Sequence, residues 1–425
     1  MTIVIFLGVL LALMAIGMPI AFALILTGVA LMLHLDFFDA QLLSQNVVAG
    51  ADNFPLMAVP FFLLAGELMN AGGLSRRIVD LAMTLVGHLR GGLGYVAIGA
   101  AVLLASISGS AIADSAALAA LLIPMMRAQG YDVGQSAGLI ASGGIIAPII
   151  PPSMAFIIYG VATDTSIIKL FMAGIVPGLL MGVVLVTIWT WTARKGVAPL
   201  HARVPAGERL RATGRAFWAL MMPVIIIGGL RLGMFTPTEA AVVAAVYAML
   251  VGLFIYGDLK LRDLPAIFVT AAKTTAVVMF LVAAAMFASY MITLANLPRL
   301  VIGLFDPLLD NPRLLMLGMI VLLTVVGTAM DLTPTILILG PVLAPLAVAA
   351  GIDPVYFGVM FVMVGAVGLL TPPVGTVLNV VAGVANVRLE AAIAGSWRYV
   401  VGYTLLLVLF VLVPELITIP ASILR

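Results

Sequence analysis

The chain repeats its own proline and glycine pattern. From Pro124 to Pro345 is 221 residues, and the same step carries Gly130 to Gly351, Asp132 to Asp353, Gly144 to Gly365, Pro151 to Pro372 and Pro152 to Pro373 without a gap. Matched alanines such as Ala128 and Ala349 carry little weight in an apolar chain. Proline and glycine, however, fix backbone geometry, so their recurrence at one spacing points to a duplicated unit. Each copy reads as a polar tip, a half-helix and then a helix interrupted by a proline pair: Ser108 to Pro152 first, Asp331 to Pro373 second.

Of the 425 residues 64% are hydrophobic and 9% charged, which identifies an integral membrane protein. A helix needs about 20 apolar residues to span a bilayer core, and stretches of that kind fill most of the chain. The period-2 alternation of a membrane barrel is absent. A net charge of +2 suggests no nucleic-acid partner, and with no cysteine and three isolated histidines a disulfide or a thiolate metal site is excluded. The run from Met1 to Leu33 is too long for a signal peptide and reads as the first membrane helix.

Further spans are expected near 54–71, 168–193, 216–231, 236–256, 264–292 and 398–422. Residues 74–90, interrupted by Arg76, Arg77, Asp80, His88 and Arg90, fit an interfacial helix, and 296–310 reads as a second amphipathic piece. Residues 94–126 carry Ser106, Ser108, Gly109 and Ser110 in their middle, which fits a helical hairpin turning inside the membrane; 313–350 reads the same way. Non-helical backbone at that depth must be buried in protein or line a watery cavity. The spans 137–163 and 355–385 contain the prolines and are expected to be discontinuous. The most basic loop, 194–215, with Arg194, Lys195, Arg203, Arg209, Arg211 and Arg215 against Glu208, is expected in the cytoplasm. Counting crossings from it puts the mouth of the first hairpin, near Arg127, inside and that of the second outside, so the copies are inverted. Lys260, Arg262 and Arg388 agree with this topology; Arg231, Arg299, Arg313 and Arg425 count against it.

Inverted repeats with broken helices are a construction of secondary transporters, in which unwound carbonyls coordinate a cation and half-helix N-termini face anionic groups. The four broken places, Ser106 to Ser110, Ala147 to Ser153, Met330 to Thr335 and Thr371 to Thr376, are rich in oxygen and poor in nitrogen. Such ligands suit a hard monovalent cation such as sodium, whereas a transition metal asks for His or Cys. An acid in a hairpin tip is costly unless it meets a cavity, a cation or a partner, so Asp331 is the sharpest candidate; the competing role is a cap on the half-helix near Thr333. Ser108, Ser110 and Thr371 are hydroxyl ligands or caps, and Asp114 lies one turn beyond the first tip. Glu67 and Glu239 stand near segment ends, where capping competes with transport. Lys273 either attracts an anion or snorkels to the interface, and Asn379 either donates to substrate or caps a turn.

These residues resemble the large membrane (permease) subunit of tripartite ATP-independent periplasmic (TRAP) transporters, DctM-type. The likeness covers essentially the whole chain, through Gly-Met-Pro-Ile-Ala-Phe-Ala at 17–23, Ala-Gly-Gly-Leu-Ser-Arg-Arg-Ile-Val-Asp at 71–80, Ser-Gly-Ser-Ala-Ile-Ala-Asp at 108–114, the run at 138–153, Phe-Thr-Pro-Thr-Glu-Ala at 235–240, Met-Asp-Leu-Thr-Pro-Thr at 330–335 and Leu-Thr-Pro-Pro-Val-Gly at 370–375. The resemblance implies an all-α, elevator-type sodium symporter of the bacterial inner membrane with no cofactor and no enzymatic activity. It works with a small four-helix membrane subunit, expected here as a separate chain, and a periplasmic substrate-binding protein. Residues 94–163 and 311–390 would form the moving transport domain. Scaffold would come from 1–93 and 164–310, with 391–425 the final helix. Sodium would bind at Ser108, Gly109 and Ser110 with Ala147 and Pro148, and at Asp331 and Thr333 with Thr371, Pro372 and Gly375. A small carboxylate would lie between the tips, with Ser110, Ser153, Asp331, Thr335 and Asn379 as candidate ligands. The wording of the first broken helix is similar to members that carry sugar acids or keto sugar acids.

Three other classes are weighed against this reading. Glu239-Ala240-Ala241 resembles the coupling loop of ATP-driven permeases, without their layout. An intramembrane enzyme lacks paired acids or a serine with a base. A channel needs no inverted pair of tips.

Overall fold

The computed structural model describes residues 2–193, 204–297, 303, 309–372 and 374–423, with the side chains at 3, 107, 108 and 193 outside the description. All described elements are helical: α1 Thr2–Ala15, α2 Ile20–His34, α3 Ala40–Ala51, α4 Ala58–Ala71, α5 Leu74–Val86, α6 Gly92–Ser108, α7 Ala111–Ala128, α8 Val133–Gly144, α9 Met154–Ala162, α10 Ile167–Ala193, α11 Ala206–Arg231, α12 Pro237–Leu250, α13 Leu264–Leu294, α14 Pro312–Gly327, α15 Leu332–Ala349, α16 Pro354–Gly368, α17 Thr376–Ala385, α18 Leu389–Leu412 and α19 Glu415–Ile423. Among the described residues, eight helices are long and apolar enough to cross a membrane.

The sequence repeat is a repeat of local structure. Helices α7 and α15 match at both ends under the 221-residue step, and both close through the same C-terminal bonds. Gly130 (φ 76°) and Gly351 (φ 74°) take up the left-handed conformation. The Gly130 and Tyr131 amides donate to the Arg127 and Met126 carbonyls, and those of Gly351 and Ile352 to Val348 and Ala347. A side chain at either glycine would oppose that turn. The repeated aspartates then start the next helices: Asp132 accepts from the Gln135 amide (2.7 Å), and Asp353 accepts from those of Val355 (2.9 Å) and Tyr356 (2.8 Å).

The copies then exchange partners. Helix α7 packs on α17, and α9 on α15, so the second helix of each hairpin meets the far half of the other copy's broken helix. The Arg127 guanidinium donates to the Ala385 carbonyl (2.7 Å), which places the end of α17 at the mouth of the first hairpin. Helix α18 is held against α8 by the buried Tyr403 hydroxyl, which donates to the Ser142 carbonyl (2.8 Å). Outside this core, α13 packs on α2, α3 and α4, α12 on α4, and α5 on α11.

Four boundaries differ from the sequence reading. The run 2–33 is two helices that pack on each other, because Gly17 (φ 82°) and Pro19 end the first and start the second. Helix α3 is hidden by its polar composition; it is started by the Asp39 side chain, which accepts from the Gln41 and Leu42 amides. The expected loop 194–215 is helical from Ala206, so Arg209, Arg211 and Arg215 ride on the first turns of α11, while Arg194, Lys195 and Arg203 lie outside the described residues. The last span ends at Leu412, and a short helix follows Pro414. Most of the second amphipathic piece, 298–302 and 304–308, also lies outside the description.

Candidate functional site: two tips against two breaks

In the first copy the hairpin turns at Gly109 (φ 63°), and Ser110 begins α7, its hydroxyl accepting from the Ala113 amide (3.3 Å). The capping role open to Ser110 is thus realised. The side chain of Ser108 falls outside the description. Asp114 is buried in the first turn of α7.

The first break follows Gly144. The chain tightens into 3₁₀-type bonds, Ile146 donating to the Gly143 carbonyl and Ala147 to that of Gly144, both at 3.1 Å. Prolines then end the ladder. Pro151 has no N–H, so the Ala147 carbonyl loses its i+4 donor, and Pro152 removes the donor that would serve Pro148. The Ser153 hydroxyl takes over at Pro148, donating to its carbonyl at 2.5 Å, and also caps α9 by accepting from the Phe156 amide (3.2 Å). Ala147, Pro148 and Ser153 are all buried. Tip meets break directly: a methyl group on Gly109 would lie 2.5 Å from the Pro152 carbonyl oxygen and 3.2 Å from the Met154 nitrogen. Only glycine fits there.

The second copy repeats the apposition with other contacts. The Val374 amide donates to the Thr328 carbonyl (3.1 Å), joining the second tip to its own break. Gly327 and Gly368 bring the ends of α14 and α16 into backbone contact, since a Cβ on Gly368 would lie 2.8 Å from the Gly327 Cα and carbonyl carbon. The Thr371 amide donates to the Gly368 carbonyl (2.9 Å) and its hydroxyl to Val367 (3.0 Å). Gly375 (φ 50°) starts α17 with the Leu369 and Thr371 carbonyl oxygens 3.5 and 3.4 Å from where its Cβ would stand. The Asn379 side-chain amide donates to the Val374 carbonyl, so it supports the turn before α17. The Thr335 hydroxyl, buried, donates to the Asp331 carbonyl (2.8 Å).

Asp331 differs from the cap that its position suggests. It stands where an N-cap would, but its carboxylate makes no capping bond to α15. Instead the half-buried carboxyl lies beside the Leu332 amide and the Thr376 hydroxyl. The Thr376 oxygen is buried and outside hydrogen-bond geometry with any described group. Sequence reasoning assigns Thr376 no role of its own; the only signal is that it replaces Ala155 of the first copy. Thr333 is half-buried, and Pro372 is exposed.

Other ionisable candidates stand apart. Glu239 forms a capping box with Thr236, accepting from its amide (2.7 Å) and hydroxyl (2.8 Å), so its carboxylate is occupied in starting α12. Lys273 is on the exposed side of α13, and Glu67 is half-buried in α4.

The duplicated hairpins, the proline-broken helices and the apolar spans together define a multi-pass membrane permease of the transporter class. The chain belongs to the DctM component family of tripartite ATP-independent periplasmic transporters, which residues 7–416 match. It is an inner-membrane transport subunit and not an enzyme. It is 56% identical over 420 residues to the 2,3-diketo-L-gulonate TRAP transporter large permease protein YiaN of Escherichia coli, covering 99% of each chain. It is 38% identical to the sialic acid TRAP transporter large permease protein SiaM of Vibrio cholerae, over 94% of this chain and 93% of that one. The crystal structure of the YdaH transporter of Alcanivorax borkumensis shares the fold, with a TM-score of 0.62 over 88% of this chain and 89% of that chain at 17% identity.

Proposed function

We propose that this permease subunit imports a small carboxylate by sodium symport, and that each tip-and-break pair holds a cation. The observation that carries the reading is the direct apposition of each hairpin tip to its own proline break. Proline leaves carbonyl oxygens without helical donors, and these are the ligands sodium takes. In the first pair the backbone at Ser108, Gly109 and Ser110 would face the carbonyls of Ala147 and Pro148, the second of which also accepts from the Ser153 hydroxyl. In the second, Asp331 and Thr333 would face Thr371, Pro372 and Gly375, with the carboxylate of Asp331 balancing the cation.

The substrate would lie between the tips, where the N-termini of α7, α9, α15 and α17 offer amides and partial positive charge to an anion. Ser110, Asp331 and Asn379 are the side chains best exposed to it. Ser153 and Thr335 contribute by holding the backbone, since both hydroxyls are buried and engaged. Near-full-length similarity to a diketogulonate permease favours a keto sugar acid as the carboxylate. The family's tripartite make-up implies a small membrane subunit and a periplasmic binding protein as partners. The hairpins and broken helices would move as one body against the remaining helices, with α10 and α18 packed at its sides.

The test is uptake of 2,3-diketogulonate into proteoliposomes holding this chain and its small subunit, with the binding protein outside. Uptake is expected to require an inward sodium gradient and to be indifferent to ATP. Unchanged uptake after sodium is replaced by choline would overturn the coupling.

A further inference from the structure

Away from the tips, helix α5 carries two adjoining cavities of different chemistry. The smaller, about 230 Å³, is lined by Arg76, Arg77, Asp80, Ala212, Arg215 and Asp258. The larger, about 510 Å³, shares Arg76 and Asp258 and runs on between α5 and the first hairpin over Val79, Leu104, Leu118 and Leu121. A polar chamber with three arginines against two aspartates therefore adjoins a cleft that is mainly apolar, with Asn70 and Ser75 also in its lining.

Arg77 is the fixed floor of the polar chamber. Its guanidinium pairs with Asp258 (2.5 Å), donates to the Gly73 carbonyl (3.0 Å) and lies 3.7 Å over the Tyr256 ring. Tyr256 in turn donates to the Arg215 carbonyl (2.8 Å), which ties α11 to the same wall. Arg76 and Arg215 are different. Both are exposed, and among the described residues neither has an acidic side chain within ion-pair distance. Asp80 is the one acid of the chamber left to oppose them. One turn before Ala212, Arg209 has two buried guanidinium nitrogens without a hydrogen-bond partner among the described residues.

We propose that this double cavity binds an anionic phospholipid, with the phosphodiester on Arg76 and Arg215 and an acyl chain leaving over Ala117 and Leu121, the accessible apolar residues of the cleft. Unpaired arginines beside an apolar cleft match a ligand that is anionic at one end and hydrocarbon at the other. A free phosphate would use the polar chamber alone and leave the cleft without an occupant. The lipid would bridge the amphipathic α5 to α11, with its hydrocarbon end facing the first hairpin.

The purified full chain in mixed micelles, titrated with labelled phosphatidylglycerol or phosphatidylcholine, tests this. Wild type is expected to prefer phosphatidylglycerol. The double variant Arg76→Gln, Arg215→Gln should lose about 30-fold of that preference, about fivefold per arginine. An unchanged preference in a variant that elutes and melts like wild type overturns the site. Should the double variant not fold, Asp80→Asn decides: removing the opposing acid must raise the preference, and no rise counts against the proposal. Inorganic phosphate is the competing probe. If it binds at Arg76 and Arg215 while the two lipids bind equally, the lipid assignment is wrong.

Discussion

The first tip-and-break pair is sealed, whereas the second is open and carries the charge. In the first, every residue from Ala141 to Ser153 is buried, Ser110 caps its helix, and Ser153 closes the gap left at Pro148. In the second, Thr371 is half-buried, Pro372, Val374 and Asn379 are exposed, and the Asp331 carboxyl makes no cap. The backbone plan is common to both; the side chains placed on it are not. A cation in the sealed pair would rest on carbonyls and be slow to exchange. One in the open pair would have a carboxylate and solvent access, which suits the site that is filled last and released first.

The comparison breaks most completely at the glycine contact between α14 and α16. Gly368→Val would drive a branched side chain into the Gly327 backbone, costing on the order of 3 kcal/mol and abolishing uptake. The residue in register in the first copy is Ala147, where Ala147→Gly should cost only about 1 kcal/mol. Thermal unfolding of the two purified variants checks the difference, and equal losses would mean the copies are packed alike. Next comes Asp331→Asn, expected to lower sodium-driven uptake about 30-fold, the loss of roughly 2 kcal/mol from a charged ligand, with unchanged melting. Wild-type sodium dependence in that variant removes the charge from the comparison.

Thr376→Val tests whether the open pair uses the hydroxyl beside Asp331. A fall of about fivefold in uptake, near 1 kcal/mol, is expected, and sodium titration of initial rates would show whether the loss lies in cation affinity. The smallest change is Ser110→Ala. Losing the cap should cost about 1 kcal/mol of stability and leave uptake within about threefold of wild type. A larger transport defect there than at Asp331 would reverse the roles assigned to the two tips.

Much of the repeated core is legible in the amino-acid sequence. Pro148, Pro151 and Pro152 mark the first break, and Gly109 the first turn, because proline and glycine act on the backbone where they stand. The hairpin over 94–126 and the broken helix over 137–163 follow from them with boundaries a few residues off. The misreadings share a cause. Met1 to Leu33 is uniformly apolar, and hydropathy alone underweights Gly17 and Pro19, which divide it. Residues 206–215 are polar and charged, which reads as loop, yet their helix is set by what α5 offers it, through Leu81 packing with Ala212 and Ala216.

The candidate site divides the same way. That oxygen-rich breaks exist and that one tip bears an acid depend on residues within a few positions of one another, and that the breaks come twice shows as a fixed 221-residue step, so all three are properties of the sequence. Which break each tip touches, that the Ser153 and Thr335 hydroxyls are spent on carbonyls, that Asp331 makes no cap and lies beside Thr376, and that Arg76 and Arg215 share a chamber were decided only by the tertiary structure. Those facts join segments from 43 to 139 residues apart or depend on which of two nearby partners a side chain takes. Local stereochemistry cannot choose among such partners; packing of the assembled helices does.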